Sequence, residues 1–203
     1  MKGYRIKLLR HGMTAANLEG RFIGRTDRPL CEEGEAQLTR AQEEHDYGSV
    51  QKVYSSPLSR CIQTAEILYP DARIAVVPEL TELDFGIFEE KTAEELVGMP
   101  GYKEFLKGGL DNAPPGGESV RALIERCYNG IGTVIADMME EGFTNVAAVT
   151  HGGVMMNLLA CFGLPKRKPL EYACGYGEGF EILVTAAMWQ RSGAFEILGK
   201  LPE

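Results

Sequence analysis

Two stretches of this 203-residue chain combine residue types that chemistry uses and that packing does not require. In Leu8-Leu9-Arg10-His11-Gly12 an apolar run ends on a guanidinium, an imidazole and a glycine. The same grammar returns in Val146-Ala147-Ala148-Val149-Thr150-His151-Gly152-Gly153. A third segment, Ser55-Ser56-Pro57-Leu58-Ser59-Arg60, brings another arginine just beyond a short apolar run. Arginine offers a planar fork that matches phosphate oxygens bidentately. Glycine lets the backbone approach an anion, and Gly152-Gly153 at the start of a helix adds free amide donors and a positive dipole end. Together these residues suggest an oxyanion site. No D-x-D, H-E-x-x-H or P-loop pattern accompanies them, so a two-metal phosphatase is disfavoured and neither metal nor cofactor is expected. Phosphoryl transfer then needs a protein nucleophile, and a neutral imidazole near pH 7 is a capable one.

Alternating strands and helices must position these groups. Residues 4–9, 50–54, 73–77 and 146–150 read as strands, the last strongly β-branched and buried. Residues 14–17 open a short helix, and 21–30 are irregular around Gly24, Asp27 and Pro29. Residues 32–44 form a helix that is acidic at its start, as the helix dipole prefers. In the helix after residue 54, Ser-Pro supplies a cap and a proline at the first helical position. Its buried stripe is Leu58, Cys61, Ile62, Ala65 and Leu68. Helical periodicity sets Arg60 nearly opposite that stripe and reads it as a surface residue. Its place one turn into a helix that leaves the carboxyl end of a strand argues the other way. Residues 118–141 form the longest helix and 154–162 another. Residues 180–188 and 194–198, joined around Ser192-Gly193, look like an antiparallel hairpin.

This alternation argues a single α/β domain over residues 1–203, a three-layer α/β/α sandwich with a mainly parallel central sheet. Short helices between Pro-Gly breakers at about 87–117 read as a small helical cap excursion. Ligands of such sheets bind outside the carboxyl ends of the strands. Arg10, His11, His151 and the turn leading to Arg60 all fall at such ends.

Composition bounds the partners. The chain is 44% hydrophobic with a net charge of -8, which excludes a largely disordered chain and disfavours nucleic acid and anionic membranes as partners. A few clustered arginines can still set a local field for a small anion. The five cysteines show no C-x-x-C spacing and read as ordinary core thiols of a reducing compartment. No run is long enough for a signal peptide or a membrane span, so a cytoplasmic location is expected. His45, Asp84 and Glu94 read as solvated or structural.

Arg10-His11-Gly12-x-Thr14-x-x-Asn17 resembles the signature of the histidine phosphatase superfamily, the phosphoglycerate-mutase-like proteins. The resemblance continues through Asp27-x-Pro29-Leu30, Gly34-x-x-Gln37 and Ser55-Ser56-Pro57-Leu58-x-Arg60-x-x-x-Thr64-Ala65. It runs on through Leu80-x-Glu82-x-x-Phe85-Gly86, Pro115-Gly116-Gly117-Glu118-Ser119 and His151-Gly152-Gly153. It implies His11 as the nucleophile that becomes phosphohistidine, with Arg10, Arg60 and His151 holding the phosphate oxygens. It implies Glu82 as the proton donor, Asn17 as a neutral donor at the rim, and Gly24 and Gly152 as further substrate-binding positions. Two positions depart from the pattern. Glu90 stands where glycine is usual, and Cys31 where a capping threonine is common.

The activity implied is a metal-independent phosphatase of small phosphomonoesters, with a phosphoglycerate mutase as the alternative and a non-catalytic phosphate-binding regulator as a third reading. The expected partner is a small phosphorylated metabolite. The oligomeric state is open between a monomer and a homodimer.

Overall fold

The computed structural model describes residues 2–202. In chain order its elements begin with β1 (Gly3–Arg10), α1 (Ala15–Leu18), α2 (Glu32–Glu44), β2 (Val53–Ser55), α3 (Ser59–Leu68) and β3 (Ile74–Val76). They continue with α4 (Ala93–Leu96), α5 (Tyr102–Leu106), α6 (Val120–Glu141), β4 (Asn145–Thr150) and α7 (Gly152–Phe162). The last are β5 (Gly163–Leu164), β6 (Gly179–Thr185), α8 (Ala186–Ser192) and β7 (Phe195–Leu201).

The sheet order is β3-β2-β4-β1-β6-β7-β5. The first four strands are mutually parallel, β6 runs antiparallel to β1 and β7, and β5 is parallel to β7. Side chains alternate across such a sheet, and here the alternation separates two cores. Leu9, Val53, Ala147 and Val149 pack with Leu38, Cys61, Ala65 and Leu68 of α2 and α3. Ile6, Leu8, Tyr54, Val146 and Ala148 face the other way, onto Leu123, Ile131 and Val134 of α6 and Val154 and Leu158 of α7. The three-layer sandwich expected from the sequence is the architecture found. In register, Arg10 lies beside Thr150, so His11 and His151 emerge next to each other at the carboxyl edge.

Two local expectations need correction. The segment 180–188 is not one strand, because β6 ends at Thr185 and α8 follows. Thr185 caps that helix by accepting from the Met188 amide, and Trp189 stacks on Tyr128 with ring centroids 4.7 Å apart. A good N-cap and a tertiary aromatic contact override the local β pattern. Secondly, α3 starts at Ser59 and not at Pro57. Its first turn is capped from outside, by Asp27, which accepts from the Ser59 amide at 2.8 Å and hydroxyl at 2.7 Å. Of the two readings of Arg60, its burial to 1% exposure goes against the helical wheel and with its place beyond the carboxyl end of a strand.

Around residues 86–106, short 3₁₀ and α-helical turns gather Phe88, Leu96 and Tyr102, with Phe22, Phe85, Met99 and Phe105 packed against them. Glu90, the departure from the family pattern, sits there in the left-handed region at φ 63°. An L-residue pays roughly 1–2 kcal/mol in that conformation. Its carboxylate pairs with Arg28, but both side chains are about half exposed, and such a pair is worth only about 0–1 kcal/mol. Glu90→Gly is therefore expected to raise Tm by about 2–4 °C, the shift that roughly 1 kcal/mol produces in a domain of this size. A lowered Tm in a thermal melt would show that the Arg28 pair outweighs the backbone strain.

Candidate active site

His11 follows β1 and is 6% exposed. Its Nδ1 lies 2.6 Å from the Gly12 carbonyl, which can only accept, so Nδ1 carries the proton and Nε2 keeps the lone pair. Burial, with the Arg60 and Arg10 guanidiniums adding to it and the Gly12 bond opposing it, pushes the imidazole pKa down to about 3. A neutral imidazole with one free nitrogen results. The Gly12 amide donates to Thr64 Oγ1 at 2.9 Å, and that hydroxyl donates to the Arg60 carbonyl at 2.6 Å, so α3 braces the loop that carries His11.

His151 is the N-cap residue of α7, and its ring centroid is 5.1 Å from that of His11. It is fully buried, and burial together with His11 and Arg60 holds its pKa well below the ordinary imidazole value. Its Nε2 is 2.8 Å from Ser56 Oγ. Ser56, read from the sequence as a helix cap, is thus a partner of this imidazole.

Both arginines are aimed by backbone carbonyls. Arg10 Nη1 donates to the Cys174 carbonyl at 2.8 Å. Arg60 donates from Nη1 to Thr26 at 3.0 Å and from Nη2 to Gly24 at 2.8 Å. In each guanidinium Nε is buried and has no partner in the structure. Buried donors are rarely left so, and two at one site call for an acceptor from a ligand.

Glu82 is 8% exposed, held by the Leu83 amide on Oε1 and the Gly153 amide on Oε2, both at 2.9 Å. Burial raises its pKa, and those two amides together with Arg60 and Arg10 work against the rise. A Cβ on Gly153 would stand 2.5 Å from Glu82 Oε1, so only glycine lets the carboxylate reach the start of α7.

A cavity of about 170 Å³ is lined by Arg10, His11, Asn17, Glu82, Gly152 and Gly153, with Ile23, Met156, Ala173 and Cys174 also contributing. Arg60 and His151, both buried, adjoin His11 at the inner end of the cavity. Asn17 Oδ1 accepts from the Thr14 amide and hydroxyl in a capping box, which leaves its amide nitrogen for a ligand. Gly24 does not line the cavity. Its amide donates to Glu89 and its carbonyl holds Arg60, so it supports the site from behind. Asp84 accepts from the Gly86 amide and stays structural, and His45 and Glu94 are exposed. A larger cavity of about 540 Å³, around Arg21, Arg28 and Glu90, contains none of the histidines.

Sequence reasoning missed Arg126, which donates to the carbonyls of Glu79, Thr81 and Glu82 and pairs with Glu118 at 2.7 Å. It thereby pins the loop carrying Glu82 to α6. The signal was present. Arg126 lies three residues after buried Leu123 and four before buried Gly130, on the inward side of the helix.

Residues 6–189 match the model of the histidine phosphatase superfamily, branch 1. The chain belongs to this superfamily. A Salmonella choleraesuis protein described as a "probable phosphoglycerate mutase" is 31% identical over 165 residues, covering 79% of this chain and 75% of that one. A mycobacterial glucosyl-3-phosphoglycerate phosphatase has a similar structure, with TM-score 0.81, 25% identity, and 98% of each chain covered. The α-ribazole phosphatase of Shigella flexneri shares the fold at TM-score 0.77 and 22% identity, covering 96% of this chain and 95% of that one. Among the described residues, no helix of this superfamily member is long and apolar enough to cross a membrane.

Proposed function

We propose that this protein is a metal-independent phosphatase of small phosphomonoesters that works through a phosphohistidine on His11. The observation that carries the reading is the pair of orphaned arginine Nε donors beside a neutral imidazole with a free Nε2. In the first step Nε2 bonds to phosphorus, the P–O ester bond breaks, and Glu82 gives its proton to the leaving oxygen. In the second, Glu82 takes a proton from water, the water oxygen bonds to phosphorus and the P–N bond breaks. Inorganic phosphate departs and His11 is again neutral. Arg10, Arg60 and His151 hold the three non-bridging oxygens, where charge collects in the transition state. Asn17 and the α7 amides at Gly152 complete the set of donors.

The mutase reading has support of its own in the Salmonella relative. A mutase must retain a bisphosphate, which calls for a second anion site. Among the described residues Arg10 and the adjoining Arg60, both needed for a single phosphoryl group, are the cations at the cavity, and its rim of Ile23, Met156 and Ala173 is apolar. That favours release over retention. Measuring free phosphate against 2-/3-phosphoglycerate interconversion separates the two, and fast interconversion with negligible phosphate release would overturn the phosphatase reading. A panel of phosphorylated metabolites, scored by phosphate release, should then show which alcohol the apolar rim accepts.

Two guanidiniums and a helix N-terminus already concentrate positive charge where the phosphate would sit, so a divalent cation would have to bind against repulsion. Turnover is expected to be unchanged after exhaustive treatment with a strong chelator. Activity lost to the chelator and recovered with Mg²⁺ or Zn²⁺ would contradict the proposed mechanism.

A further inference from the structure

Arg10 is held in a way that the family motifs do not contain. The segment between β5 and β6 grips it through backbone and side chain together. The Arg10 amide donates to the Glu178 carbonyl at 2.8 Å, and the Gly177 amide donates to the Arg10 carbonyl at 3.0 Å. Nη1 is taken by the Cys174 carbonyl. Arg10 Cζ lies over the ring of Tyr176, 4.1 Å from its centroid, and that centroid is 6.1 Å from the His11 ring centroid. Nε lies at the start of α7, where a Cβ placed on Gly152 would stand 3.4 Å from it. That Nε is the buried donor without a partner.

We infer that Tyr176 is a positioning residue for Arg10, an aromatic plate that fixes the guanidinium plane so that its unpaired edge faces the anion at the start of α7. The inference rests on the phosphatase reading of the site. An arginine has several rotatable bonds, and one carbonyl contact leaves the plane free to turn about that hydrogen bond. A ring at 4.1 Å removes the turn. The contact also needs no hydroxyl, because the π-face attracts the cation. Tyr176 also neighbours the His11 ring at 6.1 Å, so the part of its effect that passes through Arg10 is the part a double-mutant cycle isolates.

The test is a double-mutant cycle on para-nitrophenyl phosphate, with binding of inorganic phosphate followed by calorimetry. Tyr176→Leu keeps bulk and loses the π-face, and it should lower kcat/KM about tenfold, the scale of a desolvated cation–π contact, and weaken phosphate binding in parallel. Tyr176→Phe should restore both to within about twofold. In an Arg10→Met background, where no cation remains for the ring to hold, Tyr176→Leu should cost less than about twofold further. Thermal melts of each variant guard against a trivial cause. Full activity in Tyr176→Leu, or losses that simply add in the Arg10→Met background, would overturn the inference while leaving the phosphatase reading intact. Failure of the unsubstituted protein to bind phosphate or release nitrophenol would instead remove the reading on which it rests. Should Tyr176→Leu not fold, a tenfold loss in Tyr176→Phe would equally exclude the stacking role.

Discussion

His11→Ala should give a folded protein whose phosphatase turnover falls by on the order of 10⁴- to 10⁶-fold, the scale seen when a covalent nucleophile is removed from an otherwise intact site. No acid-labile phosphoenzyme should be trapped on mixing with substrate. The expectation follows from the geometry of one ring: with Nδ1 committed to the Gly12 carbonyl, Nε2 is the nitrogen free to attack, while the Cys174 thiol, also in the lining, is kept protonated by burial that pushes its pKa up to about 11. The fold should tolerate the change, because the imidazole makes one hydrogen bond and its burial among guanidiniums disfavours its charged form. The pH dependence gives an independent check. In the unfolded chain the imidazole takes up a proton near its ordinary pKa of 6.5, whereas in the folded protein it does so only near 3. Acidification from neutrality therefore favours the unfolded chain, which binds the extra proton. The unsubstituted protein should lose stability as pH falls below about 6.5, and His11→Ala should lose less over the same window. Undiminished turnover, or identical acid limbs in the two melting profiles, would exclude the assigned role.

How much of this site could be read from the sequence depends on what each residue leans against. Arg10, His11 and His151 were legible because a strand end is a one-dimensional signal, and the strands run into the same edge of a parallel sheet. Arg60 was harder. Periodicity describes how a helix meets the sheet and says nothing about a loop laid over its far side. Here the irregular segment 21–30 covers that side and offers the carbonyls of Gly24 and Thr26, so an outward residue becomes one of the most buried side chains. Gly24 illustrates the same limit. The motif marks it as important, but its carbonyl faces an arginine and its amide a carboxylate. Tyr176 and Ser56 were invisible as partners because their contacts span long sequence distances. The Ser56–His151 contact joins residues 95 positions apart. Local propensity failed only where tertiary contacts supplied a stronger preference, as Trp189 does in turning a β-like run into α8.

Glu82→Gln should divide substrates by their leaving groups. For alkyl phosphates, whose departing oxygen needs a proton, kcat/KM should fall by about 10²- to 10⁴-fold, the usual contribution of a positioned general acid. For para-nitrophenyl phosphate, whose leaving group departs as a stable anion, kcat/KM should fall by less than about tenfold, since the first step then needs no donor. Dephosphorylation still lacks its base, so a burst of nitrophenol followed by slow release of phosphate is expected, with phosphoenzyme accumulating. Geometry adds a cost independent of chemistry. Both carboxylate oxygens accept backbone amides, and a glutamine must turn an NH₂ toward one of them, donor against donor. That cost would lower both substrates equally, so only the difference between them reports proton donation. The pH profile supplies the sign. Burial raises the Glu82 pKa, which keeps the acid form available further up the pH scale. On alkyl phosphates kcat/KM should decline as pH rises through that raised value, and the glutamine variant should lack the decline. Equal losses on the two substrates, with the alkaline limb unchanged, would place the proton donor elsewhere and leave Glu82 as the brace between its loop and α7.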